Sequence, residues 1–243
     1  MFSKINSAKF ANFPLVAASS LLLLTGCDGD SYGGSDSPTV TLVDPVTVTY
    51  EVSVVNLTHA QPMSPIAVVL HNDGQLWQIG EMASTELEVL AESGDNSGVL
   101  ALEMVLASSS TEGILMPGMT ETLTVSSVEI VPSQLSLATM LVNTNDAFTG
   151  INSMSLTNLA VGESISIQTS SYDSGTEKNS ELKNTIPGPA GGGEGFNSER
   201  DDVDFVAMHP GVVSMDDGLM LSALDSSHRF DNPTLRVTVT RTE

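Results

Sequence analysis

The sequence predicts a mainly β protein, an antiparallel β-sandwich with one or two short inserted helices. Three observations carry this. Thr39 to Asn56 alternates, with Val46, Val48, Tyr50, Val52 and Val54 on one face and mostly polar residues between them, the pattern of a strand buried on one side. Further apolar stretches of strand length recur along the chain, divided by Gly, Pro, Asn and Asp. Helical character appears only after residue 84, in one or two short segments.

Taken in order, Pro65 to His71 is a more continuous apolar run, as expected of a central strand. Asn72-Asp73-Gly74 is a turn, and Gln75 to Ile79 reads as a short return strand. Thr85 with Glu88 has the spacing of a capping box. Leu87, Leu90 and Ala91 share a helix face, and Gly94 ends the helix. Val99 to Ala107 fits either a second short helix or a strand. Met119 to Ile130, Leu135 to Val142, Ser164 to Tyr172 and Leu235 to Thr240 return to strand character. Pro187 to Gly195 is a Gly/Pro loop without the Lys-Ser/Thr pair of a phosphate loop.

The N-terminus reads as a targeting segment. Lys4 and Lys9 precede the apolar run Phe13 to Leu24, which is too short for a comfortable membrane span. Leu24-Thr25-Gly26-Cys27 then looks like a bacterial lipobox, with Cys27 the only cysteine of the chain. The expected organisation is a lipoprotein signal peptide over 1–26, a lipidated Cys27 with a Gly/Ser/Asp linker over 27–38, and one domain over 39–243. Asp28 resembles the signal that retains lipoproteins in the inner membrane of enteric bacteria, a rule that is not general. The expected location is therefore the bacterial cell envelope, at the periplasmic face or the outer surface. An ordinary signal peptide with a chance cysteine, or a short core helix, is the alternative.

Charge narrows the function classes. The chain has 8 Lys+Arg against 30 Asp+Glu, a formal charge of −22. Removal of 1–26 takes away two lysines and no acid, leaving about −24. Such a surface repels nucleic acid and anionic headgroups, so the membrane is expected as a partner only through the lipid. It attracts divalent cations, and it also serves solubility in a salty medium.

The most informative local feature is Tyr172-Asp173-Ser174-Gly175-Thr176-Glu177, with Asn143-Thr144-Asn145-Asp146 upstream. Two carboxylates four residues apart around a glycine suit a tight loop that aims both at one point. Oxygen-only donors without a neighbouring lysine or arginine select a hard cation, Ca²⁺ before Mg²⁺. A solvated acidic loop is the competing reading.

Several stretches in fixed order resemble the spondin N-terminal domain, in the form found in bacterial exported proteins. They are Tyr50-Glu51-Val52-Ser53-Val54-Val55-Asn56-Leu57-Thr58, Gln61-Pro62-Met63-Ser64-Pro65 with His71, Gly80-Glu81-Met82-Ala83, and Leu90-Ala91-Glu92-Ser93-Gly94. Met116-Pro117-Gly118, Leu137 to Phe148, the Asp173 loop and His209-Pro210-Gly211 follow, so the resemblance spans about 46–242. It implies an eight-stranded, C2-like antiparallel sandwich with a calcium ion held by loops at one end. By motif, the implied ligands are Asp146 after the Met-Leu strand, Asp173 opening the D-x-G-T-acid loop, and Glu177 closing it. Eukaryotic members often have Asp at that last position, so Glu177 is one methylene longer. Asn145 is a further carbonyl candidate. Eukaryotic members also carry disulfides and thrombospondin-type repeats, which this sequence lacks, so their matrix and guidance roles do not transfer.

Enzymatic readings are weaker. His59, His71, His209 and His228 have no zinc-motif spacing, and no cysteine besides Cys27 could complete a zinc site; loop or hydrogen-bonded strand-end positions are expected for them. There is no G-x-S-x-G. Paired acids could hydrolyse a glycoside, but a single Trp77 and three tyrosines provide little aromatic platform for sugar. The expectation is a calcium-binding, lipid-anchored interaction or adhesion module with a protein or glycan partner. The alternatives are an exported hydrolase using the carboxylate loops and a metal-free structural envelope protein.

Overall fold

A computed structural model describes residues 45–243. The expected signal peptide, Cys27 and linker lie outside the described residues.

The alternating segment forms β1 (Thr47–Asn56), with Val48, Tyr50, Val52 and Val54 buried. It lies between two antiparallel neighbours, β4 (Thr120–Val128) and β10 (Leu235–Arg241), and β7 (Ser164–Thr169) pairs with β10 to complete a four-stranded sheet. The second sheet has the order β3 (Ala107–Ser110), β2 (Ala67–His71), β5 (Gln134–Met140), β6 (Ala147–Ser155), β8 (Ser171–Asp173) and β9 (Ala207–Met208). Every pairing within the two sheets is antiparallel. Between them lies the main core, where Val52, Val54, Val237 and Val239 meet Val68, Leu70, Leu135 and Leu137. This is the predicted sandwich. It has ten strands rather than about eight, because the short β3, β8 and β9 extend the second sheet.

β2 is buried along its whole length because its sheet is covered on both faces. The outer cover is the helix α1 (Thr85–Ser93), whose Leu87, Leu90 and Ala91 pack with Val69, Ala138 and Phe148, and with Trp77. Its cap is displaced by one residue from the expected position. Ser84, not Thr85, accepts the Leu87 N–H, since the Glu88 carboxylate that a Thr85 capping box would use is drawn to the Arg200 guanidinium. Gly94 ends the helix in the left-handed region, as expected. A further short helix, α2 (Ser97–Leu100), precedes β3.

Two strand expectations need correction. Gln75 to Ile79 does not form a return strand. The Asn152 carboxamide takes the Leu76 N–H and donates to the Trp77 carbonyl, doing with one side chain what a strand would do with a ladder. Ser164 to Tyr172 is not one strand but two. The chain breaks at Ser170 and passes from the four-stranded sheet (β7) to the six-stranded one (β8). The Asn232 carboxamide holds the crossing by accepting the Ser171 N–H at 2.7 Å and hydroxyl at 3.1 Å.

The sandwich has two distinct ends. At one, Thr47 begins β1, Arg241 ends β10 and bonds to the Leu159 carbonyl. At the other, Asn56 ends β1 and its amide donates to Gln61, whose carboxamide in turn pairs with the backbone of Asn143. That second end carries the acidic loops.

Candidate functional site

Asp146 closes the turn between β5 and β6. The Thr144 hydroxyl donates to the Leu141 carbonyl and accepts the Ala147 N–H, which locks the turn. Loops usually run over a surface, yet residues 141–146 are all buried. The segment after Ile186 lies across the turn, with the Ala190 N–H on the Asn143 side-chain oxygen. The register β6–β8 pairs Ala147 with Asp173, so the sheet itself brings the two aspartates side by side.

One oxygen of Asp146 is heavily engaged. Its Oδ2 accepts the Ser174 hydroxyl at 2.7 Å, the Thr176 N–H at 3.0 Å and the Glu177 N–H at 3.1 Å. The carboxylate thereby stitches the two acidic loops together. Its Oδ1 has no hydrogen-bond partner, although the residue is fully buried. Asp173 accepts the Gly175 N–H at Oδ1 and the Asn179 carboxamide at Oδ2. Glu177 accepts the Asn145 amide at Oε1, and its Oε2 is again without a partner. Asn145 is less available than the sequence implied, because its side-chain oxygen is taken by the Glu181 N–H.

The three acids are between 0% and 8% exposed, and among the described residues none of them forms a salt bridge. Burial therefore dominates their titration. It pushes Asp146 up to about 7, with the Asp173 charge adding to it, and Glu177 up to about 8. Asp173 is also raised by burial, against the pull of its two donors. The neighbouring His209 is pushed the other way, to about 4, by burial. It accepts the Gly211 N–H at Nδ1, leaving Nε2 to donate to Asn179, the residue that holds Asp173.

The Spondin_N family model matches residues 57–186, over half of the chain. The chain belongs to the Spondin_N family. No match is found among curated proteins. The Spondin_N match covers both acidic loops and α1. It stops short of the wider range expected from the sequence, leaving out β1 and β10 at the centre of the four-stranded sheet. Membership points to an extracellular interaction module. Among the described residues no helix is long and apolar enough to cross a membrane.

Among the described residues, no group of three or more His, Cys, Asp or Glu stands ready to hold a metal ion as it is. The acids nevertheless fit one chemically. Asp146 Oδ1 and Glu177 Oε2 are buried carboxylate oxygens with no donor, which is costly for an anion and is relieved by an oxygen-seeking cation.

Sequence reasoning named three acids and missed two others buried nearby. Glu92, in the last turn of α1, is 1% exposed and raises the Glu177 carboxyl by its charge. Glu181 is 2% exposed at φ 55°, with Oε1 on the Val213 N–H and Oε2 unpartnered. For Glu92 a signal was available. It adjoins the core-facing Leu90 and Ala91, and the sequence around it supplies no basic partner. The expected histidine positions agree with the structure for His71, which ends β2 between the Asp73 carbonyl and the Ser136 hydroxyl.

Proposed function

We propose that this chain is a lipid-anchored cell-envelope protein whose Spondin_N sandwich binds calcium through Asp146, Asp173 and Glu177 and serves as an interaction module. The observation that carries the reading is the pair of unpartnered buried oxygens, Asp146 Oδ1 and Glu177 Oε2, on two loops already joined by the Asp146 carboxylate. A bound calcium ion would supply the positive charge that lets all three carboxylates stay ionised side by side. Asp146 would hold the turn and the 174–177 backbone together, while Asn145 and Asn179 orient Glu177 and Asp173. The acids are closed off from solvent, which favours a bound ion over a hydrolase whose carboxylates must reach a substrate. Lipid attachment at Cys27 rests on the sequence alone.

The test is thermal unfolding of the metal-stripped full-length chain. At calcium a hundredfold above an affinity of about 10⁻⁴ M, binding adds about 2.7 kcal/mol, or roughly 5–10 °C for a domain of this size. Asp173→Asn should remove most of the increase. A wild-type melting curve that calcium leaves unmoved would overturn the proposal.

A further inference from the structure

A cleft of about 380 Å³ opens where segments remote in sequence meet: the C-terminal end of α1, the β3–β4 loop and the Gly/Pro loop after Ile186. Its walls are apolar, built by Pro65, Ile114, Met140, Val142, Pro187 and Pro189. The two hydroxyls that border it are already spent on the chain itself. Ser64 Oγ accepts the Met140 N–H at 3.0 Å, and Ser93 Oγ donates to the Val89 carbonyl at 2.6 Å. The cleft therefore offers a ligand dispersion and the release of water rather than hydrogen bonds. Its outer wall is held in place. A Cβ on Gly188 would lie 2.1 Å from the Val142 carbonyl oxygen, so the loop rests directly on the end of β5, and the Ala190 N–H pins it to Asn143. This wall lies beyond the residues that the Spondin_N family model matches.

The mouth of the cleft is negative. Asp95, Glu112 and Glu194 are exposed, and each stands two residues from one that lines the cleft, namely Ser93, Ile114 and Gly192. Against these three acids, Lys183 is the one basic residue of the segments 93–95, 112–114 and 183–194. α1 ends here with no basic residue in its last turn, so the negative end of its dipole has no cation of its own.

We infer that this cleft receives an apolar side chain flanked by lysine or arginine, carried on an exposed segment of another protein. The inference rests on the interaction-module reading above, to which it adds a partner chemistry, and does not depend on calcium. The chain is itself a poor source of such a segment, with 8 Lys+Arg against 30 Asp+Glu.

Fluorescence anisotropy of a labelled, amidated peptide of alternating lysine and leucine, titrated with the metal-stripped full-length chain, tests this. The peptide should bind, its glutamate–leucine counterpart should not, and a lysine–serine peptide should bind about tenfold more weakly. Ile114→Ser removes part of the apolar wall and should weaken binding about fivefold. Glu112→Gln should weaken it about threefold. Glu51→Gln, an equal change of net charge at an exposed position of β1, should leave it unchanged. Amide NMR shifts in the wild-type chain give a reading that needs no variant: Gly188 and Gly192 should move as the peptide is added. Peptide binding that ignores Ile114→Ser, falls equally in Glu112→Gln and Glu51→Gln, or shifts only residues outside the cleft would overturn the inference and leave an interaction module acting through another surface. A lysine–leucine peptide that does not bind, or binds no better than lysine–serine, would overturn it outright. Neither result touches the calcium site, which the melting experiment tests separately.

Discussion

Replacing Gly175 with alanine should damage the acidic loop. Gly175 sits at φ 72°, and a Cβ there would lie 2.3 Å from the Phe205 carbonyl oxygen and 2.8 Å from its amide nitrogen. Both are backbone atoms, so no side chain can swing aside. The Asp204 N–H also donates to the Gly175 carbonyl at 2.7 Å, and that bond stretches if the segments part. The left-handed backbone costs alanine about 1 kcal/mol, the lost hydrogen bond about 1 kcal/mol, and the forced separation about 2 kcal/mol. The sum of about 4 kcal/mol corresponds to a fall in melting temperature of roughly 8–16 °C. Gly80 isolates the conformational part, being at φ 87° with nothing within 4 Å of its would-be Cβ, so Gly80→Ala should cost only about 1 kcal/mol. Urea unfolding of the two variants, followed by the emission of the single Trp77, measures the difference. Equal destabilisation would refute the claim that the 203–206 backbone is pressed against the acidic loop.

Two further outcomes follow from the geometry around the site. Glu181 is raised by burial from 4.5 to about 7, so between those values the folded chain keeps a proton that the unfolded chain has released. Its contribution to stability is full below pH 4.5 and is lost as pH rises through 7. The stability difference between wild type and Glu181→Gln should therefore fall by at most about 3 kcal/mol from pH 4.5 to 8 in metal-free urea titrations, and a rise would refute the assignment. Trp77 packs edge-on to Phe148 at 5.1 Å and lies 5.2 Å from Tyr172, the residue before Asp173. Phe148→Ala should cost about 3–5 kcal/mol and shift Trp77 emission to the red, checked by urea unfolding and fluorescence spectra.

The sandwich was legible because its inner strands announce themselves by period two, as β1 and β10 do, or by continuous apolarity, as β2 does. The strand that carries the site was not. β6 reads Ala-Phe-Thr-Gly-Ile-Asn-Ser-Met-Ser, with polar residues that serve neighbours: Asn152 pairs with the backbone of 76–77, and Thr149 bonds Thr169 and Thr234. A strand whose side chains are used for hydrogen bonds loses the hydrophobic rhythm that marks strands. The three named acids were legible through a local motif and a family resemblance. The burial of Glu92 left a trace in its core-facing neighbours Leu90 and Ala91, but its nearness to Glu177 depends on how α1 lies across the outer face of the six-stranded sheet, a tertiary fact with no local spacing to betray it.

The separation of the sandwich's two ends has a further consequence. Whatever precedes Thr47 joins the domain at the base of β1, and a ten-residue strand carries the chain about 33 Å before it reaches the end where Asn143 to Asp146 lie. That rise is about four Debye lengths in physiological salt. A charge placed at the Thr47 end is thus almost electrostatically silent at the acidic end. Each end of the sandwich can therefore meet charged surroundings of its own without altering the field felt at the other.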